Sequence, residues 1–369
     1  MLPEERIHTR RSAWQRLRRN KGAMFGLIII CLSVLIAFFC YFIATDRSPN
    51  ANRMVVEIGG KKPGYTQLFL KIPTGKENET TSFFEQLLNG KREEYQYIPI
   101  TAYARKGDSL FIEKYIDEGI SEPQAFFISQ SQSHLLLSKN QFTIEKIHYL
   151  LGTDKYGRDI LSRLLVGVRV SLAVGLITVI ISLSIGILLG AIAGYFRGWV
   201  DDVVMWFINV IWSIPTLLLV FAVTLLLGKG FWQIFIAIGL TMWVSVARII
   251  RGQVLSVSSL EYVEAARALG FSNGRIIFRH ILPNVMGPVL VVAASNFATA
   301  IVIEAGLSFL GVGVQPPQPS WGLMIKENYN FIITHNPMLA LAPGIAIMLL
   351  VLAFNLLGNG LRDALEVRS

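Results

Sequence analysis

Long apolar runs separated by short polar turns make up most of this chain, and the pattern changes character once. Six runs reach or approach the roughly 20 residues that a helix needs to cross hydrocarbon: 23–44, 171–196, 205–227, 231–246, 287–303 and 338–357. Between the first two lies a mixed stretch, 46–150. There MVVEI, YTQLFLKI, YQYIPITAY and SLFIEKYI have the aromatic and β-branched content of strands. SFFEQLLNG and TIEKIHYLLG read as short helices, the first ended by Gly90. About 100 residues can bury a modest core. The pattern predicts an all-α polytopic membrane protein of six transmembrane helices, with a small α+β insert between helices 1 and 2. Its segments are 1–22, basic; 23–45, the first helix; 46–150, the insert; and 151–369, the other five helices.

The longest polar interruption in the apolar second half is 258–284, SSLEYVEAARALGFSNGRIIFRHILPN. Its local signals describe two short helices and a tight turn. Ser258 and Glu261 have capping-box spacing. Gly270 is the natural residue after the first helix, because only a residue without Cβ enters the left-handed region cheaply. Ser272 can cap the second helix, where Ile276, Ile277, His280 and Ile281 share one face. Pro283 and Asn284 are expected to end it. Such a pair can be a structural loop, a DNA-binding helix-turn-helix or a docking element. Apolar runs on both sides tether it flat against a bilayer, which keeps it out of a major groove.

Other interruptions carry smaller signals. In LGTDKYGRDILSRLLVGVRVSLAVG, Thr153 or Asp154 can cap an amphipathic helix leading into the second span. Asp154, Gly157 and Asp159 lack the ligand pattern of a calcium loop, so no metal site is expected. Ser182, Gly186, Gly190 and Gly194 recur at steps of four, which allows close helix approach within the chain or to a second subunit. Pro215 predicts a kink in the third span, with Asn209 and Ser213 near to re-satisfy the freed backbone. That makes these three, with Asn296 and Glu304 of the fifth span, candidates to line a pathway. For Glu304, the reading as a hydrogen-bonded structural acid outweighs a direct substrate role. Basic Arg248 and Arg251 are expected to end the fourth span. Trp321 and Tyr329, in a Gly- and Pro-rich loop, suit a membrane interface, as Trp14 and Leu17 do near the N-terminus. Asn355 and Gly358 allow packing in the last span.

Composition supports the membrane reading. Hydrophobic residues make up 53% and charged residues 16%, and mean hydropathy is +0.50, which argues against a soluble enzyme. The net charge is +9, yet 46–150 holds thirteen basic and thirteen acidic residues. The excess flanks the apolar runs, which fits orientation by positive loops rather than nucleic-acid binding. Arg6, Arg10, Arg11, Arg16, Arg18, Arg19 and Lys21 precede the first span and hold the N-terminus in the cytoplasm; Arg362 and Arg368 do the same for the C-terminus. The first run is too long for a typical signal peptide. Cys31 and Cys40 lie about 13 Å apart along one helix, too far for a disulfide.

Glu264-Ala265-Ala266, Gly270 and Leu282-Pro283, at this spacing, resemble the EAA loop of permease subunits in bacterial ABC importers. His280 stands where the general pattern has isoleucine, and HILPN is similar to the peptide and nickel branch. LGTDKYGRDILSR resembles the signature before the second span of the same branch, C-type subunits of dipeptide, oligopeptide or nickel systems. The resemblance covers 151–369 well and 1–45 loosely, and says nothing of the insert. It implies that Glu264, Ala265, Ala266, Gly270, Leu282 and Pro283 couple the spans to an ATPase. It implies as partners a second homologous permease, two ABC ATPase subunits and an extracytoplasmic substrate-binding protein. The setting is the bacterial cytoplasmic membrane, with ATP and Mg used by the partners and no cofactor bound by this chain.

No Walker A loop, zinc-binding cluster or nucleophile elbow occurs, so no catalytic residue is expected. His8, His134, His148, His280 and His335 are scattered. A stand-alone secondary transporter would need internal repeats and intramembrane coupling residues, and a lipid-processing enzyme a catalytic constellation in the insert. The reading is a permease half-pathway for di- or oligopeptides, with nickel chelates, opines or glutathione as alternative cargo.

Overall fold

The computed structural model describes residues 13–74, 82–107, 109–128, 136–137, 142–228, 230–333 and 336–365. Arg6, Arg10, Arg11, Lys229, Arg368, His8, His134 and His335 lie outside them. In chain order the helices are α1 (Ala13–Arg19), α2 (Lys21–Ile43), α3 (Phe83–Asn89), α4 (Ile160–Phe196), α5 (Gly198–Trp212), α6 (Thr216–Leu227), α7 (Phe231–Val257), α8 (Glu261–Ala268), α9 (Asn273–Arg275), α10 (Leu282–Leu310), α11 (Trp321–Asn328) and α12 (Met338–Leu365). The strands are β1 (Tyr65–Pro73), β2 (Tyr95–Lys106), β3 (Ser109–Asp117), β4 (Ile120–Ile128), β5 (Leu136–Leu137) and β6 (Thr143–Tyr149). The chain forms two compact units, one from 1–33, 171–307 and 347–369, the other from 34–170 and 308–346.

The first unit is helical, and among the described residues five helices are long and apolar enough to span a bilayer. The third expected span is not one kinked rod. It breaks at Ser213–Pro215 into α5 and α6, which meet at 93°. Proline removes a backbone donor and forces its predecessor out of the helical region. Ser213 Oγ then donates to Val210 O at 2.7 Å, whereas the Asn209 side chain accepts from Arg248 Nη2 at 3.0 Å instead of repairing the backbone. Nor does α7 stop at Arg248 and Arg251. It continues to Val257 because both arginines are occupied: Arg248 lies 3.8 Å over the Trp212 ring, and Arg251 grips Asp201 with two bonds. Leu17 is buried against Ala23 and Ala364 rather than seated in lipid, while Trp14 is exposed.

The stripe of small residues on α4 is used inside the chain. A Cβ at Gly186 or Gly190 would come within 2.5 Å of Val246 or of Ala247 O, and one at Gly194 within 2.7 Å of Arg251 O. Ser182 on the same face is fully buried. The α4 and α7 backbones therefore touch along most of their contact.

The second unit is built on a six-stranded sheet of order β5-β4-β3-β2-β1-β6, antiparallel except for β4–β5. YTQLFLKI, YQYIPITAY and SLFIEKYI are strands and SFFEQLLNG is helix α3, as expected. TIEKIHY is strand β6, not a helix, because its register against β1 sends Ile147 and Tyr149 to the face holding Phe69, Val55 and Ile58. MVVEI makes a 3-10 turn over Val56–Ile58 instead of a strand. Leu70, Ile100, Leu110 and Ile112 form the core of the opposite face.

Residues 151–159 form a folded loop, not the expected helix. Asp154 accepts from the Tyr156 and Arg158 amides at 2.9 and 3.0 Å, and Asp159, rather than Thr153 or Asp154, caps α4 through the Ser162 amide. Arg158 bonds Asp154 at 2.6 Å and Glu327 at 2.7 Å, and Arg163 reaches Glu327 at 3.5 Å, with both arginines 1% exposed. Trp321 is likewise buried, its Nε1 donating to Leu164 O at 3.0 Å, and is no interface anchor; Tyr329 is half exposed.

Two substitutions test these packings. Gly190→Val should lower the thermal midpoint in detergent by the equivalent of about 1–3 kcal/mol, since neither backbone can retreat. Glu327→Ala should cost about 3–5 kcal/mol by leaving two buried guanidinium groups undercompensated. Fluorescence-monitored unfolding of the purified protein reads both.

Candidate functional site

The polar interruption folds as a hook. The residue that precedes helix α8 as its N-terminal cap is Leu260, not Ser258. Ser258 has helical φ/ψ and completes α7, its amide on Val254 O at 2.8 Å and its hydroxyl on Leu255 O, so the expected capping box does not form. The other end is as expected. Gly270 has φ +76°, its amide bonds Arg267 O at 2.9 Å, and the Phe271 amide bonds Ala266 O at 3.2 Å. This is a Schellman closure. Ser272 precedes α9 in extended conformation without a side-chain bond.

Pro283 does not end the second helix. From Asn273 to Leu310 the chain is helical for 38 residues. The turn Ile276–Ile281 just before the proline is π-helical, with the Leu282 amide on Ile277 O. The wider turn makes room for a ring that would clash in α geometry. Asn284 Nδ2 donates to His280 O at 2.7 Å and to Tyr262 Oη at 3.0 Å, tying this turn to α8.

Burial divides the hook cleanly. Val263 and Ala266 from α8 join Ile276, Ile277 and Ile281 in a core with Val254 of α7, Ala191 and Tyr195 of α4 and Val285 of α10. Glu264, Ala265 and Gly270 are exposed, as are Leu269 and Phe278. Ala266 therefore faces its own bundle, whereas Ala265 faces outward. Leu282 is half-buried and Pro283 exposed. Tyr195 Oη donates to Asn273 Oδ1 at 2.9 Å, and Arg267 lies 4.9 Å over the Tyr195 ring, which adds polar ties between the hook and α4.

Deeper in the same unit a cavity of about 250 Å³ opens at the α5–α6 break. Trp212 and Thr216 flank it from the break, Thr241 and Ser245 from α7, and Asn296 and Thr299 from α10. The hydroxyls of Thr241, Ser245 and Thr299 each donate to a carbonyl of their own helix. Asn296 is 6% exposed, and its Nδ2 has no hydrogen-bond partner among the described residues. A donor left so in a low-dielectric site favours a carbonyl or carboxylate partner. Of the residues the sequence proposed for a pathway, Asn296 alone lines this space. Ser213 and Pro215 shape the break, Asn209 is held by Arg248, and Glu304 is fully buried in the bundle.

Residues 186–369 match the family described as binding-protein-dependent transport system inner membrane component, and residues 9–55 match the N-terminal TM domain of oligopeptide transport permease C. A glutathione transport system permease protein, GsiD, of Pectobacterium atrosepticum is 40% identical over 62% of this chain and 78% of that protein. The dipeptide transport system permease protein DppC of Alkalihalophilus pseudofirmus is 43% identical, and the oligopeptide transport system permease protein OppC of Bacillus subtilis 41%, each over 58% of this chain and 70% of the relative. The chain belongs to the binding-protein-dependent inner membrane component family. Most of the sheet-bearing insert lies outside both matched regions of this family member.

Sequence reading of the permease missed Thr241 and Ser245. Their i, i+4 spacing in an apolar run was the available signal. It also missed the Tyr262–Asn284 and Tyr195–Asn273 ties, for which no local pattern exists. The split burial gives a contrast in stability. Ala266→Asp should destabilise the fold by about 3 kcal/mol through a buried carboxylate, whereas Ala265→Asp should leave the melting temperature within a degree or two.

Proposed function

We propose that this chain is one membrane half of an ATP-driven importer of di- or oligopeptides, and that the hook transmits the motion of a separate ATPase to the spans. The observation carrying this reading is the division of α8 into a face rooted in α4, α7 and α10 and a face left outside with Glu264, Ala265 and Leu269. A body pressing on the outer face must displace three long helices together, because Val263 and Ala266 have no slack against them. Leu282 and Pro283 serve by placing the π turn that fixes the second arm. Rigid-body tilting of this kind can switch a pathway between two openings.

In this arrangement the hook and both termini are cytoplasmic, and the sheet-bearing insert is outside the bacterial cytoplasmic membrane. A second homologous permease completes the pathway, two ABC ATPase subunits use ATP and Mg, and an external binding protein delivers cargo. This chain has no catalytic role. Relatives named for dipeptide, oligopeptide and glutathione transport share 40 to 43% identity with it, and all three cargoes carry amide carbonyls and carboxylates suited to Asn296. Glutathione is the second reading, favoured by the names of several relatives.

Gly270→Val tests the coupling. A β-branched residue at φ +76° is strained, so the hook should distort while the spans insert normally. In the assembled transporter, ATP hydrolysis should continue while peptide uptake falls at least tenfold. Tight coupling retained by that variant would defeat the proposal, as would labelling of Ala265→Cys from outside intact cells. Competition between a dipeptide and glutathione for uptake separates the two cargo readings.

A further inference from the structure

We infer, taking the import reading above as given, that the cavity at the α5–α6 break grips a free carboxylate of the cargo, with Arg248 and Asn296 as its donors. Arg248 belongs to this cavity by its place on α7. It follows Thr241 by two turns and Ser245 by one, so the three share one face of that helix. Its guanidinium stacks at 3.8 Å on the ring of Trp212, and Trp212 lines the cavity directly.

The cation is held in place but not neutralised. Arg248 Nη2 donates to Asn209 Oδ1 at 3.0 Å, and the remaining contact is the aromatic ring. Among the described residues Arg248 forms no ion pair; the acid on the facing helix, Asp201, is taken by both bonds of Arg251. A residue serving only to lock α5 to α7 would need no such surplus, because the Arg251–Asp201 pair already does that with matched charge.

The hydrogen-bond count points the same way. Arg248 Nε and Asn296 Nδ2 are both buried and donate to nothing among the described residues. The hydroxyls of Thr241, Ser245 and Thr299 give their protons to their own helices and cannot answer this need as donors. No charged residue lines the cavity itself. Unsatisfied donors beside an unanswered positive charge match a carboxylate, whose bonds to charged donors are about twice as strong as neutral ones. A backbone carbonyl would leave the guanidinium charge unanswered, and an ammonium group would be repelled by it. Size limits what enters. At about 250 Å³ the cavity falls below the roughly 300–1,000 Å³ of pockets that enclose a whole small ligand, so it suits one end of a peptide.

Uptake by the assembled transporter tests this. The quantity to compare is the ratio of uptake efficiency for a dipeptide to that for its C-terminal carboxamide. The binding protein is common to all variants, so its own preference cancels between them. Arg248→Gln should lower the ratio roughly 30-fold, and Arg248→Lys should restore part of it. Asn296→Leu should lower the ratio in the same direction without lowering the melting temperature, since that donor has no bond to lose. A purely structural role would slow both cargoes alike. An unchanged ratio in Arg248→Gln and Asn296→Leu, or an equal loss for both cargoes, would overturn the carboxylate site and leave the import reading standing. Absence of ATP-driven dipeptide uptake by the unaltered transporter would overturn the import reading, and the site with it.

Discussion

A backbone amide or carbonyl in hydrocarbon has no water to turn to, and an unmade hydrogen bond there costs several kcal/mol. That constraint decides where this chain can bend. Its long helices run unbroken wherever residues allow, and each departure is repaired locally. At the α5–α6 break, Ser213 Oγ takes Val210 O. At the hook, the Gly270 and Phe271 amides close on Arg267 and Ala266. Before Pro283, a π turn shifts the bonding by one residue and Asn284 covers His280 O. These repaired departures are also where the exposed hook and the polar cavity lie. A helix interior offers neither a protruding edge nor a concave polar wall.

Rigidity between these places comes from glycine. With Gly186, Gly190 and Gly194 facing α7 at backbone distance, α4 and α7 have little freedom to slide. Both feed the core that anchors Val263 and Ala266. A push on the hook is therefore delivered to a pair of keyed rods rather than absorbed in soft side-chain packing. The cavity sits on the same α7, nine to thirteen residues before Val254, on the face carrying Thr241 and Ser245. The hook's anchor and the polar cavity thus share one helix.

Much of this was legible before the structure. Apolar run length located the spans, because the bilayer imposes it directly. Gly270 and the Ile276–Ile281 face were readable because a left-handed turn and a helical stripe are local properties. What failed was local chemistry overruled by neighbours. Ser258 has the right spacing to cap α8 but belongs to α7, which runs long because Arg251 is held by Asp201. TIEKIHY has helical residues in its middle, yet a strand far back in sequence claims it. Pro283 is a sound stop signal that a π turn disarms. The hook was visible in spacing; the cavity was not, because it exists only where α5, α7 and α10 converge.

The arginines after the insert show how charge counting can mislead. Four basic residues against two acidic ones in 151–175 argue, by the positive-loop rule, against a location outside the cell. The rule rests on cations that face lipid headgroups and translocation machinery. Arg158 and Arg163 face neither: both are 1% exposed and paired with Asp154 and Glu327. Arg169 spends its donors on carbonyls of Ala37, Leu87 and Leu88. Lys155 alone remains as a solvated loop charge, and one lysine carries little weight in the positive-loop count. The objection dissolves once each cation is followed to its partner.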